Sequence, residues 1–221
     1  FYVDNSLPDY FNNKSTEELA LIIIEDILKG NSGIHSGIIG EVGCSFPLTD
    51  NERKSLKSAI LAQKETGAAI LIHPGRHESS PLEIIDFIQS NGGTIERTIM
   101  GHIERTIYDY EKLESLAKTG VYLNFDQLGI ESSYYPLNPK SYMPSDHQKI
   151  ELIKAISDSG FNNKLLLGHD IYSKNRLKKY GGHGYSHTFE NILMRMENIG
   201  MEKRKIDEII IKNPQKILTF E

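Results

Sequence analysis

The sequence of 221 residues predicts an α/β fold in which helices cover a parallel β-sheet. Short apolar segments rich in β-branched residues alternate with longer segments that carry helix-start signals. These short segments are apolar along their whole length, as expected for strands buried on both faces of a sheet. Several of them are followed directly by His, Asp or Glu. Together these observations indicate repeated β/α units rather than an all-helical or all-β protein.

Six strands are predicted, at residues 1–4, 37–40, 68–72, 98–101, 121–125 and 165–168. The first of them opens the chain, with no Met and no turn before it. We therefore expect the chain to lack elements that precede this strand. Residues 128–145 hold three Pro and three Tyr without helical periodicity, so they are expected to form a long loop.

Helix starts are predicted where Ser or Thr precedes Glu or Gln by three residues, the spacing of a capping box. This spacing occurs at Ser15…Glu18, Thr49…Glu52, Ser80…Glu83 and Ser145…Gln148. Asp109 is a further candidate N-cap. Glycines that favour a helix end follow these segments, at Gly30, Gly67, Gly120, Gly160 and Gly200.

Composition narrows the possible functions. The net charge is −5, so no basic surface indicates a nucleic-acid partner. No apolar run approaches the ~20 residues of a membrane-spanning helix. The single cysteine, Cys44, leaves no disulfide framework and favours a reducing compartment. With no secretory signal visible, the chain is expected to be cytoplasmic.

Residues with metal-ligating side chains stand at the ends of four predicted strands. They are Glu41, His73, His102 and the pair His169–Asp170. Both an open doubly wound sheet and a (β/α)8 barrel fit the element order, but no glycine-rich phosphate loop follows any strand. In a barrel, side chains from different strands converge at the carboxyl edge, where a divalent cation such as zinc would compensate their charges. A single histidine at a strand end is more often structural, so the prediction depends on the repetition.

Two further features are open to more than one interpretation. Residues 180–187 contain three glycines, two tyrosines and two histidines. They form either a loop over the site or a flexible connector to the last long helix. Cys44 is expected to be a packing residue, since nothing near it in sequence lowers the pKa of its thiol.

Five motifs in register give the sequence a recognisable resemblance. They are Gly40–Ser45, Ile72–Arg76, Gly101–Thr106, Gly168–Ile171 and Tyr180–His187. Together they resemble the phosphotriesterase family of the amidohydrolase superfamily, over essentially the whole chain. The resemblance implies a (β/α)8 barrel with two divalent metal ions, usually zinc, at its carboxyl end.

The resemblance also implies roles for individual residues. Glu41 matches the ligand that bridges both metals, and His73 and His102 match the histidines of the second metal. Asp170 matches the aspartate that binds the first metal and acts as the general base. Residues near the substrate pocket are matched by Arg76, His183 and Tyr185.

One expected motif is absent from the sequence. The family holds its first metal with a His-x-His pair from the first strand, and no His-x-His occurs here. We therefore expect residues 1–221 to be a single domain that lacks the first two β/α units, an incomplete barrel of strands 3 to 8. The implied reaction is hydrolysis of the amide bond of small N-acyl compounds such as N-acetyltaurine or N-acetyl amino acids. The alternatives are phosphotriester or lactone hydrolysis, or an inactive truncated isoform.

Overall fold

The computed structural model describes residues 1–135, 137–139 and 142–220. Its strands are β1 (Ile39–Gly43), β2 (Ile70–His73), β3 (Thr98–Met100), β4 (Tyr122–Phe125) and β5 (Leu165–Leu167). They form one sheet in the order β1-β2-β3-β4-β5. The pairs β1/β2, β2/β3 and β4/β5 are parallel. The predicted α/β fold with a parallel sheet is confirmed.

Helices follow the strands in the predicted alternation. They are α1 (Thr16–Leu28), α2 (Asp50–Thr66), α3 (Ser80–Ser90), α4 (Tyr110–Lys118), α5 (Asp146–Ile156), α6 (Leu193–Asn198), α7 (Lys203–Asp207) and α8 (Asn213–Leu218). Wider helical turns at Thr188–Ile192 and Glu208–Lys212 lead into α6 and α8. None of the helices within the described residues is both long and apolar enough to cross a membrane.

The described residues form two compact units. The first consists of Phe1–Gly101, Thr119–Tyr122 and the residues from Gln215 onward. The second consists of His102–Lys118 and Leu123–Pro214. In the first unit, Ile70, Ile72 and Met100 are fully buried, and in the second Leu123 and Phe125 are fully buried. The adjacent residues Ile99 and Met100 in β3, and Leu165 and Leu166 in β5, are buried as well, so both faces of these two strands are covered.

Three of the four predicted capping boxes are present. At Ser15, Thr49 and Ser145 the side chain accepts a backbone N–H three residues on, and the reciprocal bond is also made. The fourth, at Ser80, is wrong, because α3 has Ser79 as its N-cap. Ser80 Oγ instead accepts the Gly75 N–H at 2.9 Å, a contact across the loop that local sequence does not reveal.

The strand predicted at residues 1–4 is wrong. Val3 is extended, but a 3₁₀ turn begins at Asp4. The Phe1 carbonyl accepts a hydrogen bond from Gly43 N–H at 3.3 Å, and this single bond does not extend into a ladder. The sheet of the described residues therefore has five strands rather than the six expected.

The loop expected at residues 128–145 contains no helix or strand among its described positions. Tyr134 and Tyr142 form an isolated antiparallel bridge within it. Pro136, Lys140 and Ser141 lie outside the described residues.

Candidate metal centre

Glu41 lies in an irregular part of β1. The register of β1 against β2 shifts between Ile39 and Val42, which places Glu41 in a bulge. Bulges are a common way to redirect a side chain at a functional site. Gly40 has φ +134°, and a Cβ there would lie 2.5 Å from the Leu71 carbonyl oxygen. Glycine is therefore required immediately before Glu41.

His73 is the last residue of β2 and is 8% exposed. Its Nδ1 lies 3.0 Å from Glu41 Oε2. The hydroxyl of Tyr2 lies 3.0 Å from Nδ1 and 2.9 Å from Nε2, with the two rings edge to face at 4.8 Å. A carboxylate and a phenol thus share the edge of this imidazole, and Tyr2 is a site residue that the sequence did not indicate.

β3 ends at Met100, and His102 lies two residues later. Between them, the Gly101 N–H donates a hydrogen bond to the Ile72 carbonyl. The His102 backbone is left-handed, with φ 50°. The His102 N–H donates to both oxygens of Asp126, at 3.1 and 3.0 Å, and Nδ1 lies 2.7 Å from Oδ1. Because a carboxylate only accepts, Nδ1 carries the proton and Nε2 keeps its lone pair. A second-sphere carboxylate of this kind is typical of histidines that ligate metals.

One group of three side chains among the described residues has the arrangement of a metal site. A ligand atom from each of Glu41, His73 and His102 lies within 4.8 Å of the others. One carboxylate oxygen and two imidazole nitrogens match the donor preference of Zn²⁺. All three residues were predicted from their places at strand ends, and the donor set fits the implied metal.

Asp170 follows β5 and is not a member of that group. It has φ 44°, and its Oδ2 accepts from Gln127 Nε2 at 3.5 Å and from Arg176 Nη1 at 3.3 Å. Burial raises the pKa of Asp170 above its ordinary value, and the charge of Arg176 partly opposes this rise. A carboxylate with a raised pKa is a stronger base than an exposed one.

Three histidines of the second unit lie together beside Asp170. The ring of His183 is 6.0 Å from that of His169 and 5.5 Å from that of His187. His187 Nε2 lies 2.7 Å from Asp146, and His169 Nε2 accepts the Thr188 N–H at 3.1 Å. Burial lowers the pKa of His169 and of His183, so both are neutral near pH 7.

The remaining predicted residues differ in their surroundings. His183 fits against Gly129, where a Cβ would lie 2.3 Å from its ring, and its buried Nε2 has no hydrogen-bond partner among the described residues. Tyr185 is 68% exposed. Arg76 is half-buried in the loop after β2. Cys44 is fully buried and burial raises the pKa of its thiol, as expected of a packing residue.

Two buried carboxylates near His102 were missed in the sequence. Asp126 is the first residue after β4. His73 and His102 also stand at the ends of their strands, so the same positional signal was available for Asp126. Glu104 gave no such signal because it lies in a short helical turn after His102. Its Oε1 accepts the Gln127 N–H at 2.7 Å, and burial, helped by the charge of Asp126, raises its pKa to about 8.

Comparison with known proteins identifies the family. The model of the phosphotriesterase family matches residues 1–218. A phosphotriesterase-related protein of Nematostella vectensis is 47% identical over 223 residues, which cover 100% of this chain and 64% of that protein. The N-acetyltaurine hydrolases of Bos taurus and Dictyostelium discoideum are 44% and 45% identical over all of this chain, covering 64% and 60% of their own lengths.

Solved structures agree with this assignment. A resiniferatoxin-binding protein from Rhodobacter sphaeroides superposes with a TM-score of 0.92 at 28% identity, covering 99% of this chain and 61% of that one. The phosphotriesterase homology protein from Escherichia coli, complexed with phosphate in its active site, gives 0.86 at 25% identity, covering 99% and 72%. The chain thus spans less than two thirds of the length of the curated relatives described above. On this match and these relatives, the chain belongs to the phosphotriesterase family.

Proposed function

We propose that this chain carries most of the ligands of a metal-dependent hydrolase that cleaves the amide bond of small N-acyl compounds. The observation that carries the proposal is the approach of Glu41, His73 and His102 to within 4.8 Å. Membership of the phosphotriesterase family supports the same chemistry. In this proposal the centre is binuclear and zinc is the metal.

The proposed ligands divide between two ions. Glu41 would be shared by both ions, His73 and His102 would hold the second, and Asp170 would hold the first. When bound, such ions act as Lewis acids on the scissile carbonyl and lower the pKa of water from 15.7 towards ~7. Because a glutamate needs no carboxylation to offer two oxygens, Glu41 can bridge without CO₂.

Asp170 is the proposed general base, which takes a proton from the attacking water and passes it to the leaving amine. Gln127 and Arg176 hold its carboxylate in place, because Oδ2 accepts a hydrogen bond from each of them. Asp126 is a positioning residue, because it fixes the proton on His102 Nδ1 and leaves Nε2 for the metal.

The proposed substrates are N-acetyltaurine and N-acetyl amino acids. Relatives named N-acetyltaurine hydrolase are 39 to 45% identical to this chain over its whole length. The proposed substrate-binding residues are Arg76, His183 and Tyr185.

A substrate panel with metal analysis tests the proposal. The full-length protein would be reconstituted with zinc and given N-acyl amides, lactones and phosphotriesters. We expect two metal ions per chain and the highest kcat/KM on N-acyl amides. Higher kcat/KM on lactones or phosphotriesters would replace the proposed reaction, and a metal-free, inactive protein would contradict the centre itself.

A further inference from the structure

Arg176 lies beside Asp170, the proposed base. Its role in the mechanism above is limited to holding the Asp170 carboxylate in place. Its Nη1 donates to the Asp170 backbone carbonyl and, at 3.3 Å, to Oδ2. The guanidinium carbon lies 4.1 Å from the centre of the Tyr172 ring. The side chain is 17% exposed, so the guanidinium is largely buried yet reachable.

The hydrogen bonds of Arg176 use one end of its guanidinium. A guanidinium has five N–H donors, and those of Nη1 are directed at Asp170. Within the described part of the chain, no acceptor is hydrogen-bonded to Nε or Nη2. These two nitrogens form the edge that binds carboxylates and other oxyanions through two parallel hydrogen bonds.

The backbone around Arg176 is fixed by the glycine-containing loop. Gly184 N–H donates to the Arg176 carbonyl at 2.9 Å, and Gly182 N–H donates to the Leu177 carbonyl at 3.0 Å. A Cβ at Gly182 would lie 2.1 Å from the Arg176 carbonyl carbon. The stacked ring and this close backbone contact hold the guanidinium in one orientation, which lowers the entropic cost of binding an anion.

We propose that Arg176, stacked on Tyr172, binds the anionic group of the substrate, a sulfonate or a carboxylate, beside Asp170. This inference rests on the proposed amide hydrolysis. Because the guanidinium directly contacts Asp170, the anion would lie a short linker away from the bond that is cleaved. The preferred substrates are then N-acyl amides whose amine portion ends in an anion one or two carbons from the nitrogen.

Matched substrates test this assignment in the zinc-loaded full-length protein. N-acetyltaurine and N-acetyl-β-alanine carry the anion on a two-carbon linker, and N-ethylacetamide has the same amide without it. For Arg176→Met we expect kcat/KM on the two anionic substrates to fall about 10- to 100-fold more than on the neutral one. Lys178→Met removes a charge from the same segment, where Lys178 pairs with Glu190, and should leave that ratio unchanged.

A binding measurement separates this inference from the hydrolase proposal. Calorimetric titration with propanesulfonate and with butanoate should give Kd values about tenfold higher or more for Arg176→Met than for the unchanged protein. Butanamide serves as the neutral control, and the two anions distinguish sulfonate from carboxylate preference. Metal content and thermal unfolding of each variant report whether the fold and the centre are intact.

Two results would overturn the inference while leaving the hydrolase intact. An equal loss of kcat on anionic and neutral substrates would make Arg176 a positioning residue for Asp170 only. Unchanged anion affinity in Arg176→Met would exclude the subsite. A third result would separate the two proposals. If no amide substrate is hydrolysed but anion binding still depends on Arg176, the proposed reaction is rejected and the anion-binding site stands.

Discussion

The two candidate histidine ligands are held in different ways. His102 donates both its backbone N–H and its Nδ1–H to Asp126, whose second oxygen also accepts Asn124 Nδ2 at 2.9 Å. His73 contacts Glu41 and Tyr2, and Glu41 is itself a proposed ligand. His102 is 2% exposed and Asp126 6%, whereas Glu41 is half-buried.

Two histidines at similar strand-end positions can therefore differ in how firmly their imidazole rings are held before a metal ion binds. A carboxylate that is not a ligand fixes the ring and the proton of His102 before any ion arrives. The partner of His73 must change its own contacts when it becomes a ligand. His102 is therefore preorganised, whereas His73 depends on the ion for its final arrangement.

Removing either histidine is expected to have the largest effect. His73→Ala and His102→Ala should each release one of the two proposed ions and abolish most turnover, because an imidazole ligand is lost. Metal stoichiometry by mass spectrometry and kcat/KM on N-acetyltaurine check this. Two ions per chain in both variants would contradict the ligand assignment.

A third histidine–carboxylate pair, His187–Asp146, provides a control that contains no proposed ligand. Asp146 and its partner Lys149 are fully buried, with Lys149 Nζ 3.0 Å from Oδ1. Asp146→Asn leaves the lysine charge uncompensated, so the free energy of unfolding should fall by about 3–5 kcal/mol, measured by urea unfolding. Metal stoichiometry should not change. A loss of metal here would remove the distinction between ligand pairs and structural pairs.

The effect of Asp146→Asn should depend on pH. Burial alone would raise the pKa of Asp146, but hydrogen bonds from His187 and Gly129 and the charge of Lys149 hold it below its ordinary value. A lowered folded-state pKa stabilises the fold above the unfolded-state pKa, near 4, and this contribution disappears as the pH falls below it. The difference in unfolding free energy between the two proteins should therefore shrink below about pH 4. A constant difference from pH 7 to 3 would contradict this.

Asp126→Asn tests preorganisation directly. An amide in this position no longer imposes the Nδ1 proton on His102, and metal affinity should fall about 10- to 100-fold. Chelator competition measures the affinity, and Asn124→Ala, which removes only a neutral donor to Asp126, is the matched control. If Asp126→Asn binds zinc as tightly as the unchanged protein, the comparison between the two histidines fails.

Tyr2→Phe should have the smallest effect. Its hydroxyl contacts His73 but is not a proposed ligand, so metal affinity should change by no more than about threefold, as for a single neutral hydrogen bond. The same chelator competition measures it. A loss as large as that of Asp126→Asn would mean that Tyr2, rather than the ion, orients His73.

Much of the fold and the ligand set follows from local sequence. Apolar segments and the polar residue after each one are local features, so β2 to β5 and the grouping of Glu41, His73 and His102 could be predicted. The capping box at Ser80 and the strand at residues 1–4 failed because contacts outside these local patterns decide both. Ser80 bonds to Gly75, and residues 1–3 share one hydrogen bond with β1 before the chain turns.

The supporting residues were harder to predict. Arg176 contacts Asp170 from six positions later in the sequence, within an irregular segment. Tyr2 and His73 are in contact although they are 71 positions apart in the sequence. No periodicity encodes such contacts. Asp126 is the exception, since it stands at the end of a strand like the ligands.

The left-handed backbone at His102 and Asp170 has a consequence for directed evolution. Both residues have positive φ, 50° and 44°, a conformation that costs a non-glycine residue about 1–2 kcal/mol. Glycine would relieve that cost at either position while deleting the functional side chain. A selection for thermal stability alone would thus favour Asp170→Gly, an inactive variant in this proposal, whereas His102→Gly would leave the buried Asp126 carboxylate without its imidazole partner. Any stabilisation campaign on this protein needs an activity screen in every round.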